Sequence, residues 1–155
     1  MMQSGAVPLS LMPTLYPSLR LLGVPTLAAH AAQSVLAALS ALAVAWAWRR
    51  RGPIGLKAGV LCLATLLAMP FAYAYDLVLL TLPLFWLAAA GIRTRAEVIL
   101  AALAALLPFL GPGLAKLDIP IGPLVIGGLL VVTLRRVASQ DSACSRNRRG
   151  TDHAA

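Results

Sequence analysis

The stretch that decides the fold is residues 27–48, LAAHAAQSVLAALSALAVAWAW, followed at once by Arg49, Arg50 and Arg51. It runs for 22 residues without a charge. At about 1.5 Å of rise per residue such a helix is about 33 Å long, enough to cross the roughly 30 Å hydrocarbon core of a bilayer. Trp46 and Trp48 fall where amphipathic rings favour the membrane interface, and the three arginines fall in the water beyond. The rest of the chain has the same character. It is 60% hydrophobic and only 12% charged, with a mean hydropathy of +0.85, whereas soluble domains carry about a quarter charged residues.

Four further apolar runs follow: 57–75; 77–92, broken by Pro83; 97–114, containing Pro108 and closed by Gly111-Pro112-Gly113; and 119–134. The last is short and holds Pro120, Pro123 and the Gly127-Gly128 pair, so it would tilt, kink or thin the bilayer. The predicted fold class is therefore all-α, a polytopic transmembrane helical bundle of about five spans, with four as the other count. The predicted organisation is an interfacial segment over 1–26, a bundle over 27–135 and a basic, disordered tail over 136–155.

The charges orient that bundle. Thirteen Lys+Arg against five Asp+Glu leave a net charge of +8. In a soluble chain this would suggest nucleic acid, but here the basic residues sit in short clusters between apolar runs, and no nucleic-acid partner is expected. Five spans put eleven basic residues on one side (Arg49, Arg50, Arg51, Lys57, Arg93, Arg95, Arg135, Arg136, Arg146, Arg148 and Arg149) and two, Arg20 and Lys116, on the other. Basic loops stay in the cytoplasm. The expectation is a multi-pass protein of a bacterial inner membrane, amino terminus outward and carboxy terminus cytoplasmic. Residues 1–12 carry no Lys or Arg before their apolar residues and do not read as a secretory signal peptide.

Few residues could carry chemistry. The sequence has no glycine-rich phosphate loop and no Ser/His/Asp set. Cys62 and Cys144 make no metal spacing, so neither a metal nor another cofactor is expected. Small residues recur every four positions at Ala37, Ala41 and Ala45, at Ala101 and Ala105, and at Gly55 and Gly59. Such spacing lets helix backbones approach closely and reads as packing. His30 reads as an interfacial hydrogen-bonding residue, and His153 falls in the tail.

Two stretches stand out. In residues 69–77, MPFAYAYDL, Asp76 lies near a membrane boundary beside Tyr73 and Tyr75. Charge at such depth is costly and commonly faces a cavity or a partner. Asp76 either caps the next helix, where a carboxylate suits the free amides and the dipole, or lines an outward pocket with the two tyrosines. Both can hold together. Residues 12–25, MPTLYPSLRLLGVP, are apolar yet cut by proline, and read as a short amphipathic helix at the outer interface. Its Arg20 would meet a lipid phosphate or serve as a snorkelling anchor.

Taken together, MPTLYPSLRLLGVP, the long span ending in WAWRRRG and the segment LATLLAMPFAYAYDLVLLTLPLFWL resemble the carboxy-terminal half of the glycosyltransferase family 87 membrane proteins. These are mannosyltransferase-like enzymes of the GT-C fold. The resemblance covers roughly residues 10–135 and is most specific at 70–86. It implies a hexosyltransferase that takes a sugar from a polyprenyl-phosphate carrier at the outer face and passes it, with inversion, to a lipid or glycan acceptor. It also implies that Tyr73, Tyr75 and Asp76 shape the outer cavity, while Tyr16 and Arg20 lie where the carrier binds. The family's general base is an aspartate in the first large outward loop, and that loop has no counterpart among these residues. The catalytic role is transferred to no residue, and a partner chain carrying the amino-terminal half is expected. The competing reading is a non-enzymatic small membrane protein, a subunit or assembly factor docking through its small-residue faces. A small transporter is the weaker third, since the two halves show no symmetry.

Overall fold

A computed structural model describes residues 15–70, 74–92, 94–115 and 121–152. The expectations placed on residues 1–14, Tyr73, Arg93, Lys116, Pro120 and His153 lie outside these. Every element among the described residues is helical: α1 (Leu15–Leu21), α2 (Thr26–Arg49), α3 (Ile54–Ala68), a 3-10 helix (Ala74–Leu80), α4 (Thr81–Ala89), α5 (Arg95–Ala115) and α6 (Gly122–Asp152).

Glycine and proline set most of the boundaries. Helix α1 closes in a Schellman turn. Gly23 sits at φ +79°, its N–H bonds the Arg20 carbonyl, and the Val24 N–H bonds the Leu19 carbonyl. Pro25 then opens α2 at φ −56°, close to the value its ring imposes. Pro53 opens α3, and Met69, forced out of the helical region by Pro70, ends it at ψ 123°. Pro83 lies in the first turn of α4, preceded by the 3-10 helix. It lacks the N–H that the Leu79 carbonyl would need in an α-helix, so the expected break in the third run appears as a switch from 3-10 to α geometry.

Among the described residues, two helices are long and apolar enough to cross a membrane, Thr26–Arg49 and Gly122–Asp141. Two more are apolar but shorter, Ile54–Ala68 and Tyr75–Ala89. The second run, expected over 57–75, is thus corrected to 54–68, a helix of 15 residues, about 22 Å long. Helix α5 covers Arg95–Ala115, close to the expected 97–114, and holds Pro108 and Pro112 inside it. A proline's φ is itself helical, though within a helix it withholds a donor and crowds the carbonyl four residues earlier. Helix α6 runs through Arg135 and Arg136 to Asp152, where a disordered tail was expected. Nothing in 137–149 breaks a helix, since this part contains neither proline nor glycine.

Short α3 is the centre of the bundle. It buries Leu56, Val60, Leu63, Leu66 and Leu67 against Leu77, Leu80, Leu87, Leu107, Ile126 and Leu129 from the 3-10 helix, α4, α5 and α6. Its two glycines receive α4. A Cβ on Gly55 would run into the Trp86 ring, and one on Gly59 would touch Pro83 at 3.4 Å. Helix α2 is built the other way round. It buries Ala29, Gln33, Ser40 and Ala47, a small and polar seam with a seven-residue recurrence from 33 to 47. Most of its large apolar side chains point outward, with Leu27 83% and Leu42 65% exposed, while Leu36 and Val44 pack partly against the core.

Candidate functional site

The polar side chains gather at the two ends of the bundle. At one end meet the carboxy-terminal end of α2, the α4–α5 turn and α6 around 135–141. Gly91 ends α4 at φ +77°, a conformation that favours glycine. Thr94 and Glu97 then form a capping box on α5. The Glu97 N–H donates to Thr94 Oγ1 (3.2 Å) and the Thr94 N–H to Glu97 Oε2 (3.1 Å). The same carboxylate receives Arg136 of α6 as a fork, Nε to Oε1 at 2.8 Å and Nη2 to Oε2 at 2.6 Å. Arg136 Nη2 also donates to the Gly91 carbonyl at 2.6 Å. The two side chains are 6% and 7% exposed. A buried pair needs such extra bonds, because desolvating two ions costs several kcal/mol each. Nearby, Asp141 accepts from Arg50 Nη1 (3.1 Å) and from the Arg51 N–H (3.0 Å), and the Arg50 guanidinium lies 4.8 Å from the centre of the Trp46 ring. These contacts bring Arg49, Arg50, Arg51, Arg95, Arg135 and Arg136 to one end of the molecule.

At the opposite end Gln33 ties α2 to α3. Its Nε2 donates to the carbonyls of Leu67 (2.9 Å) and Ala68 (3.0 Å). These belong to the last turn of α3 and lose their helical donors where Pro70 stops the helix. Gln33 Oε1 and Ser40 Oγ are buried and meet no donor among the described residues. Tyr16 is buried and packs its ring 4.4 Å from that of His30, centroid to centroid. Arg20 Nη1 donates to the Val24 carbonyl at 2.9 Å.

The residues singled out from sequence fall into two patches on separate elements. Tyr16 and Arg20 belong to α1, which rests on α2, while Tyr75 and Asp76 belong to the 3-10 helix, which packs on α3, α4 and α5. Asp76 stands in the first turn of that 3-10 helix, and Tyr75 is exposed. Tyr73 lies outside the described residues. Sequence reasoning missed Gln33, Glu97 and Arg136. The signals were present: a lone amide in an uncharged run, the Thr-x-x-Glu spacing at 94–97, and an arginine one residue too deep to belong to a tail. Among the described residues no three His, Cys, Asp or Glu side chains are grouped to hold a metal ion. Comparison with protein-family models, curated proteins and solved structures finds no match.

Proposed function

We propose that this chain is a multi-pass membrane protein and that it supplies the carboxy-terminal, non-catalytic portion of a hexosyltransferase using a polyprenyl-phosphate sugar. The observation that carries the membrane part is the inside-out build of α2, whose fully buried residues are small or polar while Leu27, Val35, Leu39 and Leu42 are exposed. Water would penalise such a surface at about 25 cal/mol per Å² of exposed apolar area, whereas lipid tails do not. In this reading the chain crosses five times, the arginine-rich end faces the cytoplasm, and the end holding Tyr16, Arg20, Gln33 and Asp76 faces outward.

The transferase part rests on the resemblance of residues 10–135. Transfer with inversion requires the acceptor hydroxyl to attack the anomeric carbon as the polyprenyl phosphate departs, with a base taking the hydroxyl proton. Asp76, in the first turn of the 3-10 helix, is not assigned that role. The base would come from the missing outward loop, either upstream in a longer polypeptide or in a second chain.

A second reading, a non-enzymatic subunit, draws on a groove of about 410 Å³ between α2 and α3, where Ala37, Ala41 and Ala45 stand beside the unpaired Ser40 hydroxyl. A helix with small residues would fit there. One experiment tests both. An epitope tag after Ala155 is expressed at the native locus, the membrane fraction is blotted, and captured material is assayed for hexose transfer from a polyprenyl-phosphate donor. Transferase activity with a larger band, or with a co-captured companion chain, is expected. A band near 16.2 kDa that co-purifies a companion without transferase activity would favour the subunit reading. Recovery in the soluble fraction would overturn the membrane part.

A further inference from the structure

Between α2 and α6, at the arginine-rich end, lies a groove of about 700 Å³. Its walls are apolar, with Leu39, Leu42 and Trp46 on one side and Leu134 on the other, and it is also lined by Arg49 and Arg135. From Leu39 to Arg49 is ten residues of helix, about 15 Å, the depth of one leaflet of a roughly 30 Å hydrocarbon core. Of the other arginines at this end, Arg50 is neutralised by Asp141 and Arg136 by Glu97. Arg49 and Arg135 are exposed, and neither forms an ion pair among the described residues.

From this geometry we infer that the groove binds an anionic phospholipid of the arginine-rich leaflet, its acyl chain along Leu39, Leu42 and Leu134 and its phosphate between Arg49 and Arg135. The inference rests on the membrane reading above. Two guanidinium groups at head-group depth, over one leaflet of apolar wall, complement the phosphate and the tail of one molecule. A zwitterionic lipid would fill the same groove with less electrostatic gain. Each cation near an anionic lipid surface contributes about 1 kcal/mol, or about fivefold in association.

The test reconstitutes the full chain into vesicles of zwitterionic lipid, with acyl-brominated phosphatidylglycerol or acyl-brominated phosphatidylcholine added at equal mole fraction. Quenching of Trp46 is taken as the difference between wild type and Trp46→Phe. Phosphatidylglycerol is expected to quench with an apparent association at least about fivefold stronger than phosphatidylcholine, a preference that shrinks in high salt. In the Arg49→Gln/Arg135→Gln variant, both changes being on exposed side chains, the preference should vanish while quenching by phosphatidylcholine remains. Equal quenching in wild type, or a preference that survives the double substitution, overturns the lipid site and leaves the membrane reading standing. Absence of quenching by either lipid overturns both.

Discussion

Replacing Arg136 by Met probes the contact that joins α5 and α6. The substitution removes two charge-assisted bonds to Glu97, at 2.8 and 2.6 Å, and the bond to the Gly91 carbonyl. It leaves a carboxylate 7% exposed that keeps the Thr94 N–H as a donor but has lost its counter-ion. Charge-assisted bonds contribute about 1.5–3 kcal/mol each, and stripping one partner from a buried pair costs about 3–5 kcal/mol. The expected loss for Arg136→Met is therefore about 3–5 kcal/mol, a factor of about a hundred to a few thousand in the folding equilibrium. Glu97→Gln alone should also be costly, because it strands the guanidinium. The double variant should recover much of the loss, since the introduced amide keeps a carbonyl oxygen for the Thr94 N–H and neither ion of the pair remains. The assay is a denaturing-detergent titration in mixed micelles followed by far-UV circular dichroism, run as a double-mutant cycle. Asp141→Asn is the internal control. Its partner Arg50 is 46% exposed, and a solvated pair contributes little, so its midpoint should stay near wild type. A loss for Arg136→Met below about 1 kcal/mol, with no coupling to Glu97, would refute the argument that this pair closes the bundle.

Other outcomes follow from the same packing. Gly55→Ala should destabilise by about 1–3 kcal/mol, the cost of overpacking, because its methyl meets the Trp86 ring; Gly59→Ala, with its nearest contact at 3.4 Å, should cost less, and the reverse order in a detergent titration would count against this packing. Gln33→Leu exchanges two bonds to the last turn of α3 for an apolar contact, so a loss of about 1 kcal/mol of stability and faster amide exchange near Leu67 are expected; unchanged exchange would show that Gln33 does not hold that end. The proposed orientation, arginine-rich end in the cytoplasm, predicts that a membrane-impermeant maleimide labels Cys144 only after cells are opened, and labelling of intact cells would reverse it.

The first long helix was readable because composition and length suffice. An uncharged run bounded by Pro25 and by three arginines has one stable solution in a bilayer. Legibility fell where neighbours decide. Met69-Pro70 shortens α3 because proline acts on the residue before it. Asp76 could be read as a cap or as a pocket residue, and its place in the first turn of the 3-10 helix is compatible with both. Arg136 looked like the start of a polar tail because it follows Arg135 and a basic, polar stretch lies beyond Ser139, whereas its actual neighbour is Glu97, which lies 39 positions away.

The sequence by itself determined an all-helical chain with apolar runs, the punctuation by glycine and proline, and the segregation of basic residues into a few clusters. These depend on local propensity and on the cost of burying charge, both properties of neighbouring residues. Tertiary structure alone decided which arginines are neutralised, which glycines admit a tryptophan ring, and that Gln33 rather than a backbone amide completes the end of α3. Those outcomes depend on distances between elements far apart in the chain, set by how the helices pack around α3.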